Sequence, residues 1–490
     1  MKKIFLLSLL FSTFALSAVN MEGYFESQFG KTYESDAFEW NMWDPNFYVE
    51  TRLFGNPIAN SDFYLKFYAE KDYSLAENPL AIFSEGHISF QQDKDGNGFS
   101  TTLFTRESAY YWFDSSMLNL TNINSVNNDG NGQGVRLDLW HSHNGSMSYL
   151  FSDFSQGGGD DIHLFRYRQS LLQNKINTGL FFQRKHYASG NLQEYNQVIA
   201  HDLKVRFARY YFATEFAISK VPSDSTITYM NQNYETADFF KSNIATKLEF
   251  SGLRFGTPNF GYWFVTPGIF SYGNTFQNYM GDNQSNSFGY WINSYYLVPQ
   301  RAVTFTLNYN RSQKIVADTI SVISFSDSIL SKEIYDPTTN LFAEIYIEFV
   351  NGFKGKISFN KKNEEWQGNP YKHYDFFSEL SVENHLAKLL TQFKIKDLGE
   401  TLEKHIVGIE LSVNLTDKWR FFTRGLIAND RVGARHSIFG EIQYRLSGNT
   451  ELYLQYGPNW WGQYGLVNDD SFASSGEMKK EIKLMIKGWF

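Results

Sequence analysis

Apolar residues recur at every second position in segment after segment of this chain. In NLFAEIYIEFV the apolar set is Leu341, Ala343, Ile345, Ile347 and Phe349, set against Glu344, Tyr346 and Glu348. In HIVGIELSVNL it is Val407, Ile409, Leu411, Val413 and Leu415, against Gly408, Glu410, Ser412 and Asn414. In FYLKFYAEK it is Phe63, Leu65, Phe67 and Ala69, against Tyr64, Lys66, Tyr68 and Glu70. A period of two marks strands with one face on an apolar medium and the other on a polar one. Such segments start near residues 20, 46, 62, 84, 99, 134, 146, 161, 175, 196, 209, 241, 259, 288, 302, 340, 353, 374, 386, 405, 418, 436, 450 and 478. The pattern predicts about 24 strands, within a range of about 20 to 26, because Pro258 and Pro267 interrupt one pair.

The connections alternate in length. Short turns such as HNGS, LQNK, VNG, NLTDK and LSGNT join one set of neighbours and carry the Gly, Asn and Asp of tight hairpins. Between those pairs lie longer segments: Glu107 to Gln133, Val221 to Phe240, Ser312 to Thr339 and Gly457 to Glu477. A soluble sandwich has no reason to sort its loops in this way. A transmembrane antiparallel up-and-down β-barrel does, with short periplasmic turns, long external loops and both termini on the periplasmic side.

The two ends of the chain fit the same picture. The last strand, EMKKEIKLMIKGWF, alternates Ile482, Leu484, Ile486 and Gly488 with Lys479, Glu481, Lys483 and Lys487, and ends on Phe490. It resembles the signal that the barrel assembly machinery of the bacterial outer membrane reads on its clients, with Gly488 standing where a bulky residue is usual. At the other end Lys2 and Lys3 precede IFLLSLLFSTFALSA, too short to span a bilayer as a helix and closed by small residues. Residues 1–18 are therefore expected to be a cleaved secretory signal, and 19–490 a single barrel domain. No separate plug domain is expected ahead of the first strand, which disfavours an energy-coupled receptor.

Composition changes this picture little. Beyond the leader no apolar run reaches the roughly 20 residues of a membrane helix. Losing Lys2 and Lys3 takes the net charge from −8 to −10, which argues against a nucleic-acid partner. A mean hydropathy of −0.39 is compatible with a barrel, whose strands give only alternate residues to lipid. The 18% aromatic content suits interfacial girdles, and the absence of cysteine suits a chain exported through an oxidising compartment.

Motifs with chemistry are sparse. DKDGNG places Asp93, Asp95, Asn97 and Gly98 as in a calcium loop, but its twelfth position is Phe104, and a hairpin turn explains Asp and Gly equally well. His141 and His143 share one strand face without a third ligand. The other histidines, among them His163, His186, His201, His373, His385, His405 and His436, accompany no nucleophile elbow or phosphate loop. No enzymatic activity, metal or cofactor is expected.

The polar faces carry the remaining signal. Arg136, Arg166, Arg168, Lys204 and Arg206 cluster on strands 6 to 10, whereas Glu344, Glu348, Glu410 and Glu441 lie on strands 16 to 22. Facing inward, they would form a basic and an acidic wall, or simply the mixed charge of any wet lumen. Inward aromatics, Tyr48, Tyr64, Tyr68, Trp140, Tyr211 and Tyr453, would suit stacking on sugar rings, or serve as girdle and packing residues. A large barrel needs a constriction, and two segments are expected to supply it: SSMLNLTNINSVNNDGNGQG, or the loop from Ser312 to Thr339.

As a whole the chain resembles bacterial outer-membrane porin-type barrels. The stretch DDIHLFRYRQSLLQNKINTGLFFQRKHYASGNLQEYNQVIAHDLKVRF also looks like the hairpins of alginate-export and carbohydrate-associated barrels. The resemblance implies a passive channel for small hydrophilic solutes, oligosaccharides among them, in the outer membrane of a diderm bacterium. Its expected partners are outer-membrane lipid, the assembly machinery acting through the strand that ends at Phe490, and the solute. Two rivals stand beside it: a closed structural or adhesive surface barrel acting through its loops, and a secreted soluble all-β carbohydrate-active protein.

Overall fold

The computed structural model describes residues 19–33, 44–56, 59–72, 80–105, 117–121, 133–153, 161–189, 192–220, 243–273, 276–278, 286–298, 302–314, 335–350, 352–366, 369–431, 433–457 and 480–490. The expected signal segment 1–18 and most of the loop from Ser312 to Thr339 lie outside these residues.

The wall begins with β1 (Val19–Tyr33), β2 (Asp44–Gly55), β3 (Ser61–Asp72), β4 (Leu80–Lys94), β5 (Asn97–Thr105) and β6 (Gln133–His141). It continues through β7 (Gly145–Asp153), β8 (Asp161–Leu171), β9 (Ile176–Ser189), β10 (Leu192–Phe207), β11 (Tyr210–Lys220), β12 (Ile244–Ser251) and β13 (Leu253–Thr257). Next come β14 (Gly261–Tyr272), β15 (Ser287–Val298), β16 (Val303–Lys314), β17 (Tyr335–Val350), β18 (Phe353–Trp366) and β19 (Asn369–Glu383). The last six are β20 (Ala387–Lys396), β21 (Lys404–Asn414), β22 (Trp419–Asp430), β23 (Gly433–Ser447), β24 (Thr450–Tyr456) and β25 (Lys480–Trp489).

Apart from β12 and β13, each strand pairs antiparallel with its chain neighbours, and β1 pairs with β2 on one side and β25 on the other, so the sheet closes. β12 and β13 are two halves of one stave, separated by Gly252 at φ 86 and both paired with β14, which gives a closed barrel of 24 strands. The ladder runs to Glu249↔Gly268 and resumes at Leu253↔Val265. Pro267, which has no N–H to donate, sits opposite this irregularity and breaks nothing there. Several strands begin before the alternation does: β17 starts at Tyr335 and β19 at Asn369, upstream of the expected 340 and 374. At 16 residues β17 exceeds the roughly 9–11 that cross a bilayer, so its extra length stands clear of the membrane.

The register sorts side chains into two faces. On β9 to β11, Leu180, Ile199 and Ile218 point one way and are exposed, Ile199 at 58%, while Phe181, Val198, Ala200 and Ala217 point the other way and are buried. Exposed aliphatics continue round the circumference, through Leu103, Ile345, Ile357, Ile409, Ile427, Ile438, Leu454 and Leu484. A soluble protein does not leave such a belt bare. Outward aromatics mark its periplasmic margin: Trp419 on Tyr444 at 4.4 Å, Tyr210 on Phe250 at 5.9 Å, and Trp263 with Tyr296 at 5.6 Å. The belt and girdle belong to a barrel in lipid, and they overturn the soluble all-β alternative.

The seam also explains Gly488. Phe25 stands opposite Gly488 in the β1–β25 ladder, and its ring lies where a side chain at 488 would sit. Reciprocally, the Phe490 ring fills the space over Gly23, and the two backbones exchange hydrogen bonds, Gly23 N–H to Phe490 O at 2.8 Å and Phe490 N–H to Gly23 O at 3.0 Å. The bulk missing from one strand is supplied by its neighbour.

Gly23→Ala and Gly488→Ala each push a methyl group into the facing ring, an overpacking that costs about 1–3 kcal/mol. Both variants are expected to lower the temperature at which the purified barrel loses its compact, fast-migrating band in unheated denaturing gels. Gly425→Ala, which meets no atom within 4 Å, leaves that temperature unchanged. Identical melting of all three proteins would show that the rings do not hold the seam.

Candidate functional site

The inner face differs between the two sides of the barrel. On β5 and β7 to β14 it is largely apolar and small: Phe104, Leu150, Ile162, Leu164, Phe181, Val198, Ala200, Ala217, Ala245 and Tyr272 form one buried cluster. Apolar residues facing the inside of a wet barrel need a cover. Two connecting segments supply it, residues 117–121 and 276–278, which bury Leu118, Leu120 and Phe276 in the same cluster. Alanine and serine at 200, 217, 245, 152 and 219 leave the room that these segments occupy.

Polar groups fasten the cover. Glu215 is 0% exposed, and its Oε2 accepts the backbone N–H of Met117 at 2.7 Å and of Leu118 at 2.9 Å. Lys247 Nζ donates to Met117 O at 3.1 Å, and Asn278 Nδ2 to Leu120 O at 2.9 Å. Gln183 Nε2 donates to Asn278 Oδ1 at 2.9 Å, Asn196 Nδ2 to Gln277 O at 3.0 Å, and the Gln277 N–H to Ser219 Oγ at 3.0 Å. A buried carboxylate that accepts two backbone N–H groups makes the strong, charge-assisted kind of bond. The inward segment 117–121 belongs to the first of the two loops expected to narrow the barrel.

The register places all twelve candidate residues on the inner face. Arg136, Arg166, Arg168, Lys204 and Arg206 share it with Asp138 and Asp202. Arg136 Nε meets Asp138 Oδ2 at 2.6 Å, and Arg166 Nη2 meets Asp202 Oδ2 at 2.6 Å. Lys204 and Arg206 each lie 5.5 Å from the centre of the Tyr211 ring. On the far side Glu344 pairs with Lys356 at 3.5 Å, Glu410 with Arg424 at 2.7 Å, and Glu441 accepts from Gln455 at 2.6 Å. Glu348 stands opposite Lys354. Carboxylates accompany Arg136 and Arg166 on one wall, and cations accompany Glu344, Glu348 and Glu410 on the other, so each wall carries both signs.

Inward aromatics gather where the sheet closes. Tyr48 stacks on Tyr68 at 6.1 Å, and Tyr24 lies 6.3 Å from Tyr48 and 5.8 Å from Trp489. Tyr64 donates to Glu85 at 3.4 Å, and Tyr48 to Glu50 at 2.9 Å. Glu50 in turn holds Arg52 at 2.6 Å and Lys66 at 3.2 Å. Trp140 donates to Asp93 at 2.7 Å, which ties the DKDGNG hairpin to β6 and occupies one of its carboxylates. Asp95 and Gly96 take the positive φ values, 56° and 76°, that such a turn requires. His141 and His143 stand exposed at the neighbouring turn, 5.9 Å apart.

Outside the membrane, the turn after β20 is closed by Glu403. The Gly399 N–H, at 2.8 Å, and the His405 ring, at 2.6 Å, hold its carboxyl below the usual carboxylate range.

One inner patch is not among the residues that the sequence marks by charge. Asn293, Asn308, Asn310 and Asn340 adjoin Trp291 and Phe342 around a cavity of about 360 Å³. Its signal is present in VTFTLNYN, where Thr304, Thr306, Asn308 and Asn310 alternate with Val303, Phe305, Leu307 and Tyr309. An uncharged polar face attracts less notice than arginines and glutamates.

Loss of the Glu215 carboxylate strands two buried N–H groups, at about 1.5–3 kcal/mol for each charge-assisted bond. With no native cysteine in the chain, Leu118→Cys gives a clean probe. Maleimide labelling of this cysteine is expected to be slow in the folded barrel and at least about tenfold faster with Glu215→Ala added, as local opening becomes easier. Equal rates would show that Glu215 does not hold the segment.

No family model matches the sequence, and no curated protein matches it either. Solved structures similar to it are outer-membrane proteins. The siderophore receptor PirA from Pseudomonas aeruginosa is 8% identical, with a TM-score of 0.46 over 96% of this chain and 80% of that one. The siderophore receptor PirA from Acinetobacter baumannii is 7% identical, with a TM-score of 0.47 over 96% and 80%. The translocation pore of the P pilus usher PapC is 8% identical, with a TM-score of 0.39 over 96% and 99%. Scores this low transfer no residue role or activity. The closed 24-strand wall, its lipid-facing belt and its girdle identify the chain as an outer-membrane β-barrel.

Proposed function

We propose that this barrel is a passive, porin-like channel for small hydrophilic solutes, narrowed from one side by the segments bound to β9 to β14. The observation that carries the reading is the inner face outside those segments. From β15 through the seam to β6 each strand turns at least one polar or charged side chain inward, among them Asn293, Lys356, Gln392, Glu410, Arg424, Gln455, Lys487, Glu50, Lys66 and Arg136. A barrel sealed by its own packing would bury apolar groups there, as β7 to β10 do beneath their cover. Alternating opposite charges keep such a surface wetted without a strong net field.

The reading is of transport without catalysis and without an energy source. Outer-membrane lipid surrounds the belt, and the assembly machinery is its proposed partner during insertion, acting through the strand that ends at Phe490.

Reconstitution in a planar bilayer tests the reading. The purified barrel is expected to give steady ohmic steps, and deletion of residues 117–121 to raise their size. Silence from a folded, heat-modifiable barrel would favour a closed surface barrel that works through its external loops. Steps of unchanged size after the deletion would remove the segment from the constriction.

A further inference from the structure

The amide-lined cavity on the inner wall has the make-up of a ligand site. Asn293 faces Asn308 directly across β15 and β16, and Asn310 faces Asn340 across β16 and β17. The four amides thus form a compact block on three adjacent strands. Beside it Trp291 is registered with Gly268, and its indole lies where a side chain at 268 would be. Phe270 extends the aromatic surface, with its ring 6.1 Å from Trp291 and lying over Gly289. Phe342 borders the cavity on β17.

We propose that this cavity is a saccharide-binding subsite that accepts one neutral sugar ring of a passing oligosaccharide. The inference rests on the channel reading and names its solute class.

Three features select this chemistry. First, an asparagine amide offers donors and an acceptor together, and a sugar hydroxyl does the same, so several amides can satisfy a ring of hydroxyls without any ionised group. Second, the half-buried indole presents a flat apolar face, which suits the C–H face of a pyranose. Third, charge is nearly absent in a lumen that is charged elsewhere. The one cation among the described residues that line the cavity, Lys247, is already held by Met117 O at 3.1 Å and lies 5.1 Å from the Trp291 ring. An anionic solute would find little to pair with, whereas a neutral polyol needs no counter-charge. The volume of about 360 Å³ lies at the small end of ligand pockets and suits a single ring unit.

Position strengthens the case. Lys247 joins the cavity to the inward segment, and Tyr272, which also lines it, packs 6.1 Å from Phe276 of the second inward segment. The subsite therefore adjoins the narrowed part of the barrel, where a solute must pass close to the wall.

The test is block of single-channel current by a neutral linear hexasaccharide, such as maltohexaose or cellohexaose, added to the full-length barrel in a planar bilayer. Loss of an aromatic stack of about 0.5–1.5 kcal/mol is expected to weaken the block up to about tenfold in Trp291→Ala. Open-channel conductance should persist in this variant. Asn308→Leu with Asn310→Leu should weaken the block as well, and Phe377→Ala, an inward aromatic elsewhere on the wall, should leave it intact. Block that survives Trp291→Ala and the double asparagine variant, or that instead disappears in Tyr68→Ala alone, overturns the assignment. Should the barrel conduct nothing, the channel reading fails while the site remains testable. Calorimetric titration of the folded protein with the same sugar then supports the subsite if binding is lost in Trp291→Ala, and overturns it if no binding is seen.

Discussion

Inside a bilayer a backbone N–H finds no water, and leaving it unpaired costs several kcal/mol. That penalty governs this molecule. A sheet escapes it only by having no edge, and here β1 and β25 meet to remove the last one. Closure then creates an inside and an outside, and the two-residue period of each strand must assign every side chain to one or the other. The aliphatic belt, the aromatic margin and the polar lining all follow from that single requirement.

The inside is then built in two ways. Around most of the circumference the lining is polar and is stabilised by neighbouring opposite charges, such as Arg424 with Glu410 and Lys356 with Glu344. On β7 and β8 the covered part of the inner face is apolar like the outer face: Leu150 and Leu164 look inward while Phe151 and Phe165 look out. A wall of this kind is favourable only beneath a lid of protein, and the Glu215 carboxylate fixes where the lid sits. The same segment meets Lys247, so the apolar shelf and the amide patch are parts of one construction.

The alternation of Ile345 and Ile347 with Glu344 and Glu348 could be read directly from the sequence, because a strand between lipid and water must show it. Strand number was legible for that reason. Three other features were not. The early start of β17 at Tyr335 escaped because residues above the membrane need no alternation. The charge pairing escaped because Lys356 lies near Glu344 only through the β17–β18 register. Where the first expected loop docks, over β7 to β14, is not legible because Glu215 and Met117 lie 98 residues apart, although Ile162 and Leu164 set beside Phe165 hint at a strand buried on both sides. The tyrosines at 48, 64 and 68 stand out in the sequence as platforms for a sugar, yet the Trp291 patch combines a ring with neutral amides, a pairing visible only when three strands are laid side by side.

The exchange of rings between Phe25 and Gly488, and between Phe490 and Gly23, also bears on how the barrel finds its correct alignment. Strands β1 and β25 are the most distant in the chain, so their meeting is the step with the most wrong answers available. A slide of one residue would bring each phenyl ring onto a position that has its own side chain, Glu22 or Tyr24 on one strand and Lys487 or Trp489 on the other. Two notches and two teeth, offset along the same seam, allow only one setting to close. The glycines thus act as a key for registration, and a bulky residue in their place would blur the last decision of assembly even where the finished wall tolerated it.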